Sequence, residues 1–208
     1  MIGEKFKMSN ICEPIVAGVD EVGRGPLAGP VVACAYILGP HSEHLMITDS
    51  KLLNDKQRQK RFLPLLQSAQ AVAIGSCTPQ EIDQLNIHHA TLLAMSRAID
   101  ALSITPDLIQ VDGKFCPPCD IPCEAIIQGD QHKACIGAAS IIAKVYRDTL
   151  MTNYNAIFPE YGFSQHKGYP TRAHREAIQQ HGITPIHRKS FSTIKQHLLN
   201  TEATSYEI

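Results

Sequence analysis

The stretch VDEVGRGPLAGPVV, Val19 to Val32, places two adjacent carboxylates, Asp20 and Glu21, at the end of an apolar run. The turn residues Gly23-Arg24-Gly25-Pro26 follow at once, and a second apolar run begins behind them. Ile15 to Val22 and Pro30 to Leu38 are β-branched or small and apolar, which reads as two strands joined by a loop and paired antiparallel. A strand that only had to end could do so on one Asn or Gly. The pair of acids needs another reason.

Working outward, Asn54 to Gln67 reads as a helix with Asn54 as N-cap, ended or kinked by Pro64. Ala71 to Ser76 is a short strand candidate. Thr78-Pro79-Gln80-Glu81 has the Thr/Glu spacing of a capping box, with Pro at the first helical position. Asn86 to Leu102 repeats its apolar residues near 3.6 and predicts an amphipathic helix. Asp107 to Val111 predicts a strand ending on Asp112-Gly113, and Ala125 to Ile127 a short strand before Gly129-Asp130. Ala134 to Phe158 and Thr171 to Gln180 predict helices, the second capped by Thr171 and closed by Gly182. Strands alternating with helices, then a helical last third, indicate an α/β domain with a mixed sheet. The 208 residues suit one domain, with residues 1–13 and 200–208 expected to fray.

Hydrophobic residues make up 44% and charged residues 19%, as in an ordinary soluble globular protein with enough apolar mass for a core. No apolar run approaches the roughly 18 residues of a membrane-spanning helix, and the N-terminus lacks a secretory h-region. Seven cysteines, an odd number, read as reduced thiols, so the cytoplasm is the expected location. Cys116, Cys119 and Cys123 have half the spacing of a zinc site but no well-spaced fourth ligand, and are expected to be free thiols. Net charge is −1, unevenly spread: residues 131–197 hold 9 Lys and Arg against 3 Asp and Glu. Such a segment could follow a phosphate backbone or form a solvated basic face.

Four carboxylates occupy equivalent places in this layout. Asp20 and Glu21 close the first strand, Asp112 closes a central one, and Asp130 follows a short strand before a long helix. Functional groups of open α/β sheets gather at the carboxyl ends of strands. Acids brought together there repel, and divalent cations compensate. An oxygen-only donor set points to Mg²⁺ or Mn²⁺, with two ions able to serve an in-line attack on phosphorus. In a regular strand Asp20 and Glu21 would take opposite faces, so sharing a site is expected to need an ended or distorted strand. Each acid also has a plain structural reading: Asp-Gly is a common turn, and Asp130 could cap the next helix.

The ordered motifs VDEVGRGPLAGPVV, TDSK at 48–51, VDG at 111–113, GD at 129–130, AASIIAKVYRD at 138–148 and HKGYPT at 166–171 closely resemble the bacterial ribonuclease HII family, from about residue 15 to about 191. The resemblance implies a ribonuclease H-like fold: a central mixed sheet flanked by helices, with a helical C-terminal segment. It implies cleavage of the RNA strand of RNA/DNA hybrids, and a cut 5′ of a single ribonucleotide in duplex DNA that leaves 3′-hydroxyl and 5′-phosphate ends. Asp20, Glu21, Asp112 and Asp130 would be the catalytic metal ligands for two Mn²⁺ or Mg²⁺ ions. Gly23, Arg24 and Gly25 would read the ribose 2′-OH, the group that tells RNA from DNA. Tyr169 would stack on the neighbouring sugar. Ser50, Lys51, Lys144, Arg147 and Lys167 would contact phosphates, Lys144 and Arg147 from one helix face. Asp148 would lie beside the metal or one step behind its ligands. Cys135 stands where much of the family would have a small polar residue and Gly137 in a run that is usually alanine, with helix packing the expected consequence.

His132, His166 and His174 fall near the motifs but complete no triad. Gln196 to Leu199 reads as the end of a helix rather than a partner-binding peptide, and a monomer with no evident protein partner is expected. Two other readings stay open: a ribonuclease H-fold nuclease for another substrate such as branched DNA, and a nucleic-acid-binding protein without catalysis.

Overall fold

The computed structural model describes residues 13–40, 42 and 53–205. Five strands form one sheet in the order β3-β2-β1-β4-β5. Strands β1 (Val16–Val22), β2 (Val31–Leu38) and β3 (Ala69–Cys77) are antiparallel neighbours in turn. Strands β4 (Leu108–Asp112) and β5 (Cys123–Ile126) extend the other side of β1 in parallel. The sheet is therefore mixed.

Alternation along the strands divides the core into two layers. Val19, Val31, Ala33, Ala35, Ile109 and Val111 pack with Ala90, Ala94 and Ala98 of α2 (Pro79–Asp100). Cys34 and Tyr36 pack on the other face with Ala138, Ala139, Ile142 and Val145 of α4 (Ala134–Ile157), joined by Leu65 of α1 (Asp55–Ser68). The small residues of α4 let it lie close to β1. Gly18 makes the closest approach: a Cβ there would stand 2.2 Å from the carbonyl carbon of Cys135. A third cluster joins Leu27 and Ala28 to Met151, Tyr161, Phe163, Ile178 and Ile194, and fixes the C-terminal helices α6 (Arg172–His181) and α7 (Ser192–Ser205).

The caps read from sequence at Asn54, Thr78 and Thr171 all form. Three elements differ from expectation. Helix α1 continues through Pro64 to Ser68, held from outside by the Tyr36 hydroxyl, which donates to Leu65 O at 2.8 Å. The capping box at Thr78 and the amphipathic helix from Asn86 are one element with a kink at Asn86 (φ 64°), whose Oδ1 accepts the N–H groups of His88 and His89. Helix α7 carries Gln196 to Leu199 inside it and runs to Ser205, because Ile194 and Leu198 anchor it to the third cluster.

Candidate active site

The parallel register pairs Val19 with Val111, so Asp20 and Asp112 are the next residues on neighbouring strands. Both lie opposite the α2-facing valines, on the α4 side of the sheet. A shared site for both acids is expected to need a strand ended or distorted at Asp20; pairing with β4 does stop at Val19, but the strand does not end there. It stays registered with β2 through Glu21 and Val22. Asp112 reaches past the end of β5: its Oδ1 accepts the N–H of Gly129 at 2.7 Å. Asp130 follows directly, in the short helix α3 (Gly129–His132), almost fully buried.

The electrostatics are those of acids placed together. Burial first, then Glu21 and Asp112, raise the Asp20 carboxyl well above its ordinary range, while a hydrogen bond from Ser140 opposes them. Glu21 is also raised, by burial and by Asp112, against the Arg24 guanidinium 3.3 Å away. Ser140 lies on α4 within the run AASIIAK and was not singled out from the sequence. A hydroxyl in an otherwise apolar run four residues before Lys144 was the available signal.

Glu21, Ser140 and Lys144 line one cleft of about 320 Å³ together with Tyr169 and Arg58. Tyr169 is 39% exposed, and a Cβ on Gly25 would be 3.5 Å from its ring. The acid cluster and the Gly23-Arg24-Gly25 turn thus share a wall. Arg58 also lines a neighbouring groove with Asp55, Asp148, Thr152 and Lys167. The basic run of α1 signalled it, but no site was assigned there.

Two buried arginines hold the turn. Arg188 donates to Gly23 O at 2.6 Å, Arg24 O at 2.9 Å and Gly29 O at 2.9 Å. Arg147 donates to Pro30 O, Lys167 O and Ala28 O at 3.0–3.1 Å. Arg147 is fully buried, which corrects the expectation that it meets phosphate beside Lys144. Its donors are spent on carbonyls, and its work is to fasten the segment behind the turn, Ala28 and Pro30, to the HKGYPT loop. Asp148 holds Lys144 at 2.9 Å, and so steadies a side chain that lines the cleft of Glu21. Lys167 is tied to Thr152 Oγ1 and Ser164 O. Ser50 and Lys51 lie outside the described residues.

A divalent cation fits the chemistry of Asp20, Glu21, Asp112 and Asp130: all donors are oxygens, and three are within mutual electrostatic reach. Among the described residues, no three His, Cys, Asp or Glu side chains are arranged tightly enough to hold a metal ion as they stand. Asp20 is turned onto the N–H of Glu21, Asp112 onto that of Gly129, and Glu21 onto Arg24.

His166 and His174 belong to a buried cluster with His187. Burial lowers His174 from its ordinary 6.5 to about 4 and His187 to about 3. The unfolded chain takes up protons below pH 6.5 that the folded chain refuses until those values. The contribution of this pair to stability should therefore fall as pH drops from 6.5 toward 4. The raised Asp20 and Glu21 carboxyls, which take up protons more readily in the folded chain, act in the opposite sense. Urea midpoints of an Asp20→Asn protein, which lacks the more strongly raised of those carboxyls, should fall across that window, and a flat profile would contradict it.

A mixed sheet in this order, with acids at the adjoining ends of β1 and β4, defines a ribonuclease H-like fold. Within it, the chain belongs to the ribonuclease HII family, whose sequence profile matches residues 17–194. It is 52% identical over 186 residues to a ribonuclease HII of Marinomonas sp. (strain MWYL1), covering 88% of this chain and 93% of that one. The ribonuclease H2 of Pyrococcus horikoshii OT3 has a similar structure, with TM-score 0.77, 29% identity, and 90% and 98% of the two chains covered. Bst-RNase HIII, solved in complex with Mn²⁺, shares the fold at TM-score 0.69 and 16% identity, over 93% and 72%. The chain is an enzyme, a ribonuclease acting on RNA/DNA hybrids. No helix among the described residues is long and apolar enough to cross a membrane.

Proposed function

We propose that this ribonuclease also cuts on the 5′ side of single ribonucleotides in duplex DNA, leaving 3′-hydroxyl and 5′-phosphate ends. The observation that carries this reading is the placement of Tyr169 against Gly25 in the cleft that holds Glu21. A sugar-sensing surface then adjoins the acids that act on the phosphate.

Asp20, Glu21, Asp112 and Asp130 would hold two Mg²⁺ or Mn²⁺ ions, which when bound supply an activated water and stabilise the leaving oxygen. The chain does the rest by orientation. Ser140 and the Glu21 N–H keep the Asp20 carboxyl aimed, and Arg24 steadies Glu21. Arg188 draws the Gly23 and Arg24 carbonyls inward. The peptides here are trans, so the N–H groups of Arg24 and Gly25 point away from the carbonyls that Arg188 holds. Those two donors are suited to a ribose 2′-OH, and deoxyribose offers them nothing. Lys144, which lines the same cleft, would meet a phosphate.

Tyr169→Ala should lower kcat/KM on a duplex with one ribonucleotide by about tenfold or more, the loss expected of a stacking aromatic. Binding to all-DNA duplex should change little. Equal losses on both, measured by cleavage and by fluorescence anisotropy, would remove Tyr169 from the sensing surface.

A further inference from the structure

We propose that His174 and His187 are positioning residues: a directed hydrogen-bond relay that sets Tyr169 against the Gly23-Arg24-Gly25 turn. It holds only if Tyr169 is the group that meets the sugar at the junction.

The contacts admit one assignment of protons. The Thr184 N–H points at His187 Nδ1 at 2.9 Å, so that nitrogen is the acceptor and Nε2 of the neutral ring carries hydrogen. His187 Nε2 lies 3.0 Å from His174 Nε2, so the second ring accepts there and carries its hydrogen on Nδ1. His174 Nδ1 lies 3.0 Å from Tyr169 O, and donates to it. The relay runs from a backbone N–H to a backbone carbonyl with no donor facing a donor. Both rings are buried, at 0% and 2% exposure, which keeps them neutral.

Packing fixes the ring planes. His166 stacks on His174 with centroids 4.5 Å apart, and Phe163 meets His174 edge-on. His166 is held in turn by Tyr161 O and by the Gly168 N–H. The relay carbonyl also accepts the Thr171 N–H at 2.8 Å, so both hydrogen bonds converge on the residue whose ring borders Gly25.

The neighbour of His187 completes the device. Arg188 holds Gly23 O and Arg24 O. One dipeptide therefore grips both sides of the sensing surface, Tyr169 through His174 and the turn directly. Their separation is set by a single stretch of backbone. A buried histidine pair serving stability alone would not need its final donor aimed at that carbonyl.

The test is a double-mutant cycle on a duplex carrying one ribonucleotide, with kcat/KM for His174→Leu, Tyr169→Ala and both together. His174→Leu should lose about tenfold, and should cost less than about twofold more once Tyr169 is already Ala. His174→Asn, whose amide nitrogen replaces Nδ1 as donor, should stay within about threefold of the parent enzyme. Full multiplicative losses, or a parent-like His174→Leu, would overturn the relay and leave the Tyr169 reading standing. A parent-like Tyr169→Ala would overturn both. Should His174→Leu fail to fold, long-range ¹H–¹⁵N correlation on the unaltered protein decides. Hydrogen on His174 Nδ1 and His187 Nε2 is expected, and the opposite tautomer on either ring refutes the relay.

Discussion

Replacing Asp20 with Asn should lower turnover by about 10³-fold, roughly 4 kcal/mol of transition-state stabilisation, while substrate affinity changes little. The amide keeps the shape of the carboxyl and can still accept the N–H of Glu21, which Asp20 Oδ1 takes at 2.7 Å. What it removes is the negative charge. That charge is costly to the resting fold, since burial and two neighbouring acids already oppose its ionisation. The variant should therefore be at least as stable as the parent, with an unchanged or higher Tm. An inactive but stabilised protein is the signature of a group kept for catalysis against its energetic interest. A variant that keeps its turnover would remove Asp20 from the catalytic set.

Gly23→Ala should have the largest effect on stability. Gly23 sits at φ 93°, where a side chain is strained, and a Cβ would stand 2.2 Å from Arg147 Nε and 2.9 Å from Pro30 O. Arg147 has no freedom to retreat, because it is fully buried and that same Nε donates to Pro30 O. Strain and displacement together should cost about 3 kcal/mol, or a Tm lower by about 6–12 °C in a chain of this size. Activity should fall beyond what unfolding explains, because the turn, Arg147 and the Tyr169 loop move as one. Calorimetry beside cleavage below the lowered Tm separates the two losses. A parent-like Tm would show that the turn is looser than the packing implies.

The strands, their antiparallel start and the acids at their ends were legible in the sequence because periodicity and turn residues act locally. The adjacency of Asp20 and Asp112 was legible as a condition: it needed β1 and β4 to be neighbours, and the parallel register supplies that. The arginines were not. Lys144 and Arg147 look alike in a basic segment, yet one lines the cleft and the other is buried among carbonyls. A guanidinium satisfied by backbone oxygens leaves no partner residue to recognise in the sequence. Arg188 was missed for the same reason. His174 completes no triad in the sequence, because its partners, His187 and the Tyr169 carbonyl, are joined to it only by the fold. Helix α1 runs through Pro64 because tertiary packing on Tyr36 outweighs a local breaker.

The most direct measurement is cleavage of a duplex DNA carrying one ribonucleotide, in Mn²⁺, in Mg²⁺ and in EDTA, with products resolved on a denaturing gel. A cut immediately 5′ of the ribonucleotide in either metal, none in EDTA and none on all-DNA duplex, is the predicted result. Folded protein that binds the duplex and cuts it with neither metal would contradict the account.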